Sequence, residues 1–293
     1  FFNRIKDRFV LVPNPYNPKM ISCISLDPAV VDCIVFWTKN PKSMIDRIDD
    51  LRDYKYYFQF TLNPYGEDIE HNLPAISQRI DIFKTLSDKI GRERVVWRYD
   101  PILTSPTYDI AFHKEAFARI ADGLKDHTER CMLGFIDHYQ HIRNTVNQYG
   151  IQPIRMEEIE DMAVSFTDTM QHYPQIEMDV CTNKVNLTHL GIPNGLCVDN
   201  KLVEKITGYP ITAKKDKNQR HICNCIESID IGTYESCLNG CIYCYAIKGN
   251  YNTAEFNSRK HDKNSPMLLG HPKEDDTIKD RVVKSLKNDQ YSL

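Results

Sequence analysis

The alternation of short apolar runs with amphipathic helical stretches constrains this chain more than any other feature. Runs rich in Val, Ile, Phe and Tyr fall at Phe9 to Val12, Cys33 to Thr38, Tyr56 to Leu62, Arg94 to Tyr99, Cys131 to Ile136 and Ile176 to Cys181. Such runs read as strands. Most lack strict polar–apolar alternation, as strands covered on both faces do in a parallel sheet. Helical stripes lie between them. Met44, Ile45, Ile48 and Leu51 follow Asn40-Pro41, an N-cap with Pro behind it. Ile76, Ile80, Phe83, Leu86 and Ile90 form a second stripe closed by Gly91, and Tyr108, Phe112, Ala116, Ile120 and Leu124 a third. Glu157 to His172 is a weaker one. Repeated strand–helix units predict an α/β fold with a parallel sheet. Their number, and the lack of a GxGxxG turn, favour a TIM-like (β/α) barrel, complete or partial, over a dinucleotide-binding sheet.

A length of 293 residues suggests about two domains, although one barrel can use about 250. From residue 183 to Cys225 the chain turns to Gly, Pro, Asn, Cys and Lys, and one more short strand is expected between Ile226 and Tyr234. After Asn250 it is polar, with a helix expected from Asp276 to Leu286. The expected division is a barrel core at 1–182, a Cys-rich segment at 183–250 that completes it, and a polar tail at 251–293. With 41% hydrophobic residues the chain is not globally disordered. Its formal charge of −3 supplies no general attraction to nucleic acid or anionic lipid. Apolar runs of about five residues fall far short of the roughly 20 a membrane span needs, and no secretion signal opens the chain, so a cytoplasmic location is expected. The chain starts at Phe1 rather than Met, which reads as the loss of N-terminal residues.

In a parallel barrel the working side chains sit where strands end. Here those ends carry Asn14, Lys39-Asn40, Thr61 and Asn63, Arg98 and Asp100, and Asp137. Arg98, Asp100, Asp137 and Lys39 are the candidate catalytic or substrate contacts. For any one of them a helix cap or an ion pair is the competing role.

The sharpest chemical signal is Cys237-Leu-Asn-Gly-Cys241-Ile-Tyr-Cys244, a C-x3-C-x2-C spacing. Three thiolates within eight residues can converge on one soft metal centre, and Gly240 allows a tight turn between them. A closed structural zinc site wants four ligands, whereas an iron–sulfur cluster with three leaves one iron open to a small molecule.

This spacing, with Tyr243 as the aromatic residue before the third cysteine, resembles the radical S-adenosylmethionine (SAM) superfamily. The resemblance implies a [4Fe–4S] cluster on Cys237, Cys241 and Cys244, with SAM on the open iron and Tyr243 and Gly240 among the cofactor contacts. It also implies reductive SAM cleavage, hydrogen abstraction from an unknown substrate, and a reductant such as flavodoxin or ferredoxin as partner. In that superfamily the motif follows the first barrel strand. Here it is late, which a circularly permuted barrel reconciles, and no GGE-type segment is present to hold the SAM amino group. NPYNPK (14–19), DCIVFWTKNP (32–41), YYFQFTLNPYG (56–66), RVVWRYDPI (94–102), KDKNQR (215–220), CNC (223–225) and DIGTYESCLNGCIYCYA (230–246) resemble an uncharacterised prokaryotic family, a domain of unknown function. Its members start with a further SASRRTDIP-like strand, so the resemblance implies that a barrel strand is missing here.

Cys181, Cys197, Cys223 and Cys225 lie in the same half of the chain. Four thiols suffice for an auxiliary [4Fe–4S] cluster or for zinc. Inert buried thiols and a redox disulfide are the alternatives. Cys23, Cys33 and Cys131 lie in or beside strand-like runs and read as core. Lys214, Lys215, Lys217, Arg220 and His221 form a small basic run, read as a solvated loop. Two other functions compete with the SAM enzyme. One is a zinc- or cluster-stabilised binding protein without turnover, with nucleic acid an unlikely ligand on charge. The other is a metal-dependent hydrolase with a rim carboxylate as base.

Overall fold

The computed structural model describes residues 1–181, 185–248 and 251–288. The expected boundaries at 182–183 and at Asn250 lie outside the described residues. Helix α1 (Phe2–Asp7) leads into a hairpin of β1 (Phe9–Pro13) and β2 (Met20–Ser25). The main sheet then follows: β3 (Ile34–Thr38), α2 (Lys42–Ile45), β4 (Tyr56–Thr61), α3 (Ile76–Ile90), β5 (Val95–Ile102), α4 (Ile110–Leu124), β6 (Arg130–Phe135), α5 (Arg143–Gln148), α6 (Met156–Met170), β7 (Glu177–Cys181) and the two-residue β8 (Asn194–Gly195). Helix α7 (Asn200–Thr207), α8 (Tyr251–Ser258) and β9 (Thr277–Arg281) complete the described elements.

Strands β3 to β8 form one six-stranded sheet in sequence order, every pairing parallel. Parallel neighbours joined by right-handed crossovers bring their helices to one face. On that face Phe58, Phe60, Trp97, Tyr99 and Leu133 pack against Phe83 of α3, Phe117 of α4 and Phe166 of α6. Ring centroids are 5.0 Å apart for Phe60–Phe83 and Trp97–Phe117, and 4.1 Å for Phe117–Phe166. Each such fully buried ring contributes about 1.5–3 kcal/mol.

The opposite, concave face carries the alternate residues. Tyr57, Val96 and Met132 are covered by Val203 and Ile206 of α7 and by Ile211. Arg130 fixes this cover at the strands' N-terminal end. It bonds Asp179 of β7 at 2.5 Å and Asp199 at 2.7 Å, and Asp199 caps α7 by accepting from the Lys201 amide. Gly134 and Gly195 are bare because a Cβ would collide with Asp100 at the first and with Asp179 and Met132 at the second.

Four expectations need correction. The sheet is not a closed barrel: among the described residues β8 does not pair with β3. After two residues of β8 the chain leaves the ladder and becomes the cover of the concave face. Phe9 to Val12 is not a strand of the parallel sheet but half of a hairpin in a separate three-stranded sheet, so Asn14 is a hairpin residue that accepts from the Tyr16 and Asn17 amides. Residues 226–234 hold no strand, because Asp230 and Ser236 bend the backbone through bonds to Gly232 N and Thr233 O. The stretch expected as a terminal helix contains β9, which pairs parallel to β2 and is exposed along its whole length.

Candidate functional site

The C-terminal ends of β3, β4 and β5 meet around one buried carboxylate, Glu70, which is 1% exposed. Lys39, just after β3, donates to Glu70 Oε1 at 2.9 Å, and Arg79, from the first turn of α3, donates to Oε2 at 2.6 Å. Burial alone would raise this carboxyl's pKa. Lys39 and Arg79 outweigh it and hold the group below the usual range. The Tyr243 hydroxyl donates to the same Oε1 and accepts from Lys39 Nζ at 2.8 Å and from Asn63 Nδ2 at 3.2 Å. Asn63 ties in β5, donating to Asp100 O at 3.0 Å and accepting from Asp100 N at 2.9 Å.

The three-cysteine loop is docked onto this network through its backbone. Ile242 N donates to Ile69 O at 3.1 Å, Asn72 N to Asn239 O at 3.0 Å, and Asn72 Nδ2 to Leu238 O at 2.8 Å. Glu70 and Cys241 form a one-residue antiparallel bridge. Gly240 sits at φ +67°, and a Cβ there would stand 3.1 Å from Asn72 Nδ2 and 3.2 Å from His71 Cβ. Beneath the loop, Ile242 and Tyr243 pack against Tyr65, Ile69, Leu103 and Tyr108. The segment is therefore positioned by tertiary contacts with residues 69–72 rather than by a strand leading into it. Cys237 is exposed, and Cys241 and Cys244 are half-buried. Burial pushes the Cys241 thiol up to about 12 against the pull of Lys39, with Glu70 and the other two thiols adding to the rise. Burial also raises Cys244.

The second cysteine set lies on the concave face. Cys181 ends β7, and its Sγ is 3.5 Å from Cys197 Sγ. Cys197 is pinned from three sides. Its carbonyl accepts from Tyr57 Oη at 2.9 Å and Gln59 Nε2 at 2.8 Å, and its sulfur accepts from Arg98 Nη1 at 3.0 Å. The Cys225 sulfur accepts from Val198 N at 3.4 Å, one residue from Cys197. The thiol hydrogen bond from Cys181, together with Arg98, holds Cys197 well below the ordinary cysteine pKa despite its burial. Cys181 is raised, first by donating to Cys197 and then by burial.

A family pattern described as a domain of unknown function, DUF1848, matches residues 1–246. The chain belongs to that family. Neither curated proteins nor solved structures gave a match.

Of the residues singled out in this DUF1848 chain, Lys39 and Tyr243 meet directly, and Gly240 lies in the same docked loop. Arg98 pairs with Asp100, but its guanidinium is also spent on Gln59 and Cys197, so it is tied to the second cysteine set rather than standing free. Asp137 pairs with Arg220, which brings one member of the basic run to the rim. Cys131 is fully buried among the outer-face aromatics. Burial raises Cys33 to about 12 and also raises Cys23. Glu70, Arg79 and Gln59 were not singled out from sequence. Arg79 did carry a signal: it falls in the buried stripe with Phe83, Leu86 and Ile90, where a charge demands a partner. As the side chains stand, no group of three or more Cys, His, Asp or Glu residues among the described residues is drawn together closely enough to hold a metal ion. No helix among them is long and apolar enough to cross a membrane.

Proposed function

We propose that this chain is an iron–sulfur enzyme of the radical SAM type on a partial (β/α) barrel, with Cys237, Cys241 and Cys244 as ligands of a [4Fe–4S] cluster. The observation that carries this reading is the docking of the three-cysteine loop, through Tyr243 and Glu70, onto the C-terminal ends of three neighbouring parallel strands. That rim is where parallel α/β enzymes place their chemistry. The donor set fits: three soft thiols on one loop supply all but one ligand of a four-iron cluster. When bound, such a cluster supplies one-electron reduction of the SAM sulfonium.

The chain's own residues then have separate tasks. Tyr243, between the second and third cysteines, fixes the loop by its hydroxyl. Glu70 gathers Lys39 and Arg79 under the loop and neutralises one of their two charges. Lys39 places a cation beside Cys241 and Cys244, which favours their deprotonated, ligating form. Asp100 and Asp137, with side chains each 27% exposed, are the rim groups that remain open to a polar substrate. The exposed side at Cys237 and Leu238 is where a reductant such as flavodoxin or ferredoxin would approach. An oxygen-poor cytoplasm is the matching location.

The test is anaerobic reconstitution with iron and sulfide, followed by electron paramagnetic resonance with and without SAM. A reduced-cluster signal that shifts on SAM addition, and is lost in Cys241→Ala, is the expected result. Folded protein that takes up no iron or sulfide overturns the reading.

A further inference from the structure

We infer that Cys181 and Cys197 are a redox-active dithiol, with Cys197 the nucleophile towards a small hydroperoxide and Cys181 the thiol that resolves it to a disulfide. The inference stands on a different part of the molecule from the three-cysteine loop and does not depend on the iron–sulfur reading.

Two contacts carry it. Cys181 Sγ and Cys197 Sγ are 3.5 Å apart, and Arg98 Nη1 donates to Cys197 Sγ at 3.0 Å. A disulfide needs about 2.05 Å, so the sulfurs have only about 1.5 Å to close. Arg98 is 5% exposed. A buried guanidinium keeps its charge and takes anionic acceptors. Its acceptors are Asp100, Gln59 Oε1 at 3.3 Å and this sulfur. The cation touches Cys197 of the pair, which makes that sulfur the thiolate. Cys181 is its neutral partner and hydrogen-bond donor.

The fold holds the two thiols from separate elements. Cys181 ends β7, where it pairs with Gly195 of β8. Past the end of β8, the Cys197 carbonyl accepts from Tyr57 Oη at 2.9 Å and Gln59 Nε2 at 2.8 Å. The next residue is anchored too, since Val198 N donates to Cys225 Sγ at 3.4 Å. Both thiols are half-buried, a cover that admits a small molecule more readily than a second protein. The titratable groups around Cys197 are Cys181 on β7, Arg98 and Asp100 on β5, Tyr57 on β4 and Cys225 on the covering segment.

The Cys197 thiolate attacks one oxygen of the hydroperoxide, the O–O bond breaks, and Cys197 becomes a sulfenic acid. The departing oxygen takes the Cys181 proton and leaves as water, or as an alcohol from an organic hydroperoxide. The Cys181 thiolate then attacks the Cys197 sulfur, forms the S–S bond and expels hydroxide, which solvent protonates. Two electrons pass from the sulfurs to the peroxide oxygens. Arg98 gives up no proton and holds the attacking thiolate. A dithiol reductant reverses the change by thiol–disulfide exchange.

The test uses the whole chain, reduced and freed of metal by chelator. Equimolar hydrogen peroxide is added, remaining thiols are blocked, and the cysteine peptides are mapped by mass spectrometry. A Cys181–Cys197 disulfide is expected before Cys23 or Cys33 is modified, and dithiothreitol should reverse it. Cys181→Ser should trap a sulfenic acid at Cys197, captured as its dimedone adduct, and Cys197→Ser should protect Cys181. Arg98→Gln should slow oxidation of Cys197 at neutral pH by about 10-fold or more, the share of thiolate lost with a neighbouring cation. Should that variant fail to fold, the pH profile of the native chain serves instead. Its oxidation rate at Cys197 should reach half its maximum well below the ordinary cysteine value of about 8.5. Oxidation of Cys197 no faster than of Cys23, a half-maximum at the ordinary value, or Cys197 joined to a cysteine other than Cys181 overturns the inference. Absence of iron uptake by the native chain would remove the proposed function and leave this pair standing.

Discussion

The two cysteine sets are built in opposite ways. Cys237, Cys241 and Cys244 follow one another on a single loop, so their proximity is local. The fold's work is to dock that loop, through backbone bonds to residues 69–72 and one tyrosine hydroxyl on Glu70. Cys181, Cys197, Cys223 and Cys225 come from a strand end, a strand exit and a turn, and only the folded sheet brings them together. The thiols of Cys181 and Cys197 are in contact, and a buried arginine bonds Cys197. A local set can be displaced as a unit while the sheet stays intact. A set gathered by tertiary structure cannot be displaced without opening the concave face. Thiol alkylation mapped by mass spectrometry on metal-free protein reads this difference directly, as the rate at Cys241 and Cys244 against the rate at Cys181 and Cys197.

The largest effect is expected from Glu70→Ala. It leaves Lys39 and Arg79 buried without their carboxylate, which costs about 3–5 kcal/mol in urea unfolding. Alkylation of Cys241 and Cys244 should accelerate far more than that of Cys197. Equal acceleration of both sets would show that the two regions open together and that the contrast is wrong.

Acid should discriminate between the regions next. His113 lies under Tyr65 and Leu103, the layer that supports the three-cysteine loop. Its Nδ1 is 2.8 Å from Tyr99 Oη and its Nε2 2.7 Å from Leu103 O, so the neutral ring accepts at one nitrogen and donates at the other. Burial lowers its pKa from 6.5 to about 4. Between those values the unfolded chain binds a proton that the folded chain refuses. Stability is therefore fully present above about pH 6.5 and is lost as the pH falls towards about 4, by about 3 kcal/mol in all. His113→Gln should flatten that slope in urea titrations at pH 4.5 and 7. An unchanged slope would mean that other groups carry the acid response.

Tyr243→Phe keeps the ring in its apolar layer and removes the hydroxyl from Glu70, Lys39 and Asn63. A loss of about 1–2 kcal/mol is expected, with faster alkylation at Cys241 and Cys244 and none at Cys197. Gly240→Ala is the mildest change. A left-handed backbone with a Cβ close to Asn72 and His71 costs about 1 kcal/mol. Its measurable sign is faster amide exchange at Asn72 and Ile242.

The parallel sheet was legible because its central strands β4, β5 and β6 are buried on both faces and its helices carry clean stripes. From Cys33 to Cys181 the expected elements are observed within a few residues, while the short helix α5 was not expected. The hairpin was half missed. β2 reads Met-Ile-Ser-Cys-Ile-Ser, a short strand whose serines hide its apolar face, and it pairs antiparallel with a run that resembled the others. Charged β9 carries no strand signal beyond Thr277 and Ile278, because the open edge of β2 makes it a strand. Spacing alone made the three-cysteine loop visible. The second set could be suspected by count but not assembled, since the contact between Cys181 and Cys197 depends on where β8 leaves the sheet. Glu70 was invisible because a carboxylate in a loop carries no mark of burial until its two cations converge on it.

The bond between Lys39 and Tyr243 spans 204 residues of chain. At a synthesis rate of about 5–20 residues per second, the partner of Lys39 emerges roughly 10–40 s after it does. For that interval the strand ends can already be paired while the rim above Glu70 stands open to water. The loop that closes it is the last part of the site to leave the ribosome. A nascent chain stalled after β8 has emerged but before residue 237 should thus present a formed sheet with an unfinished rim, and its Glu70 network should gain protection from exchange only when the final turn arrives.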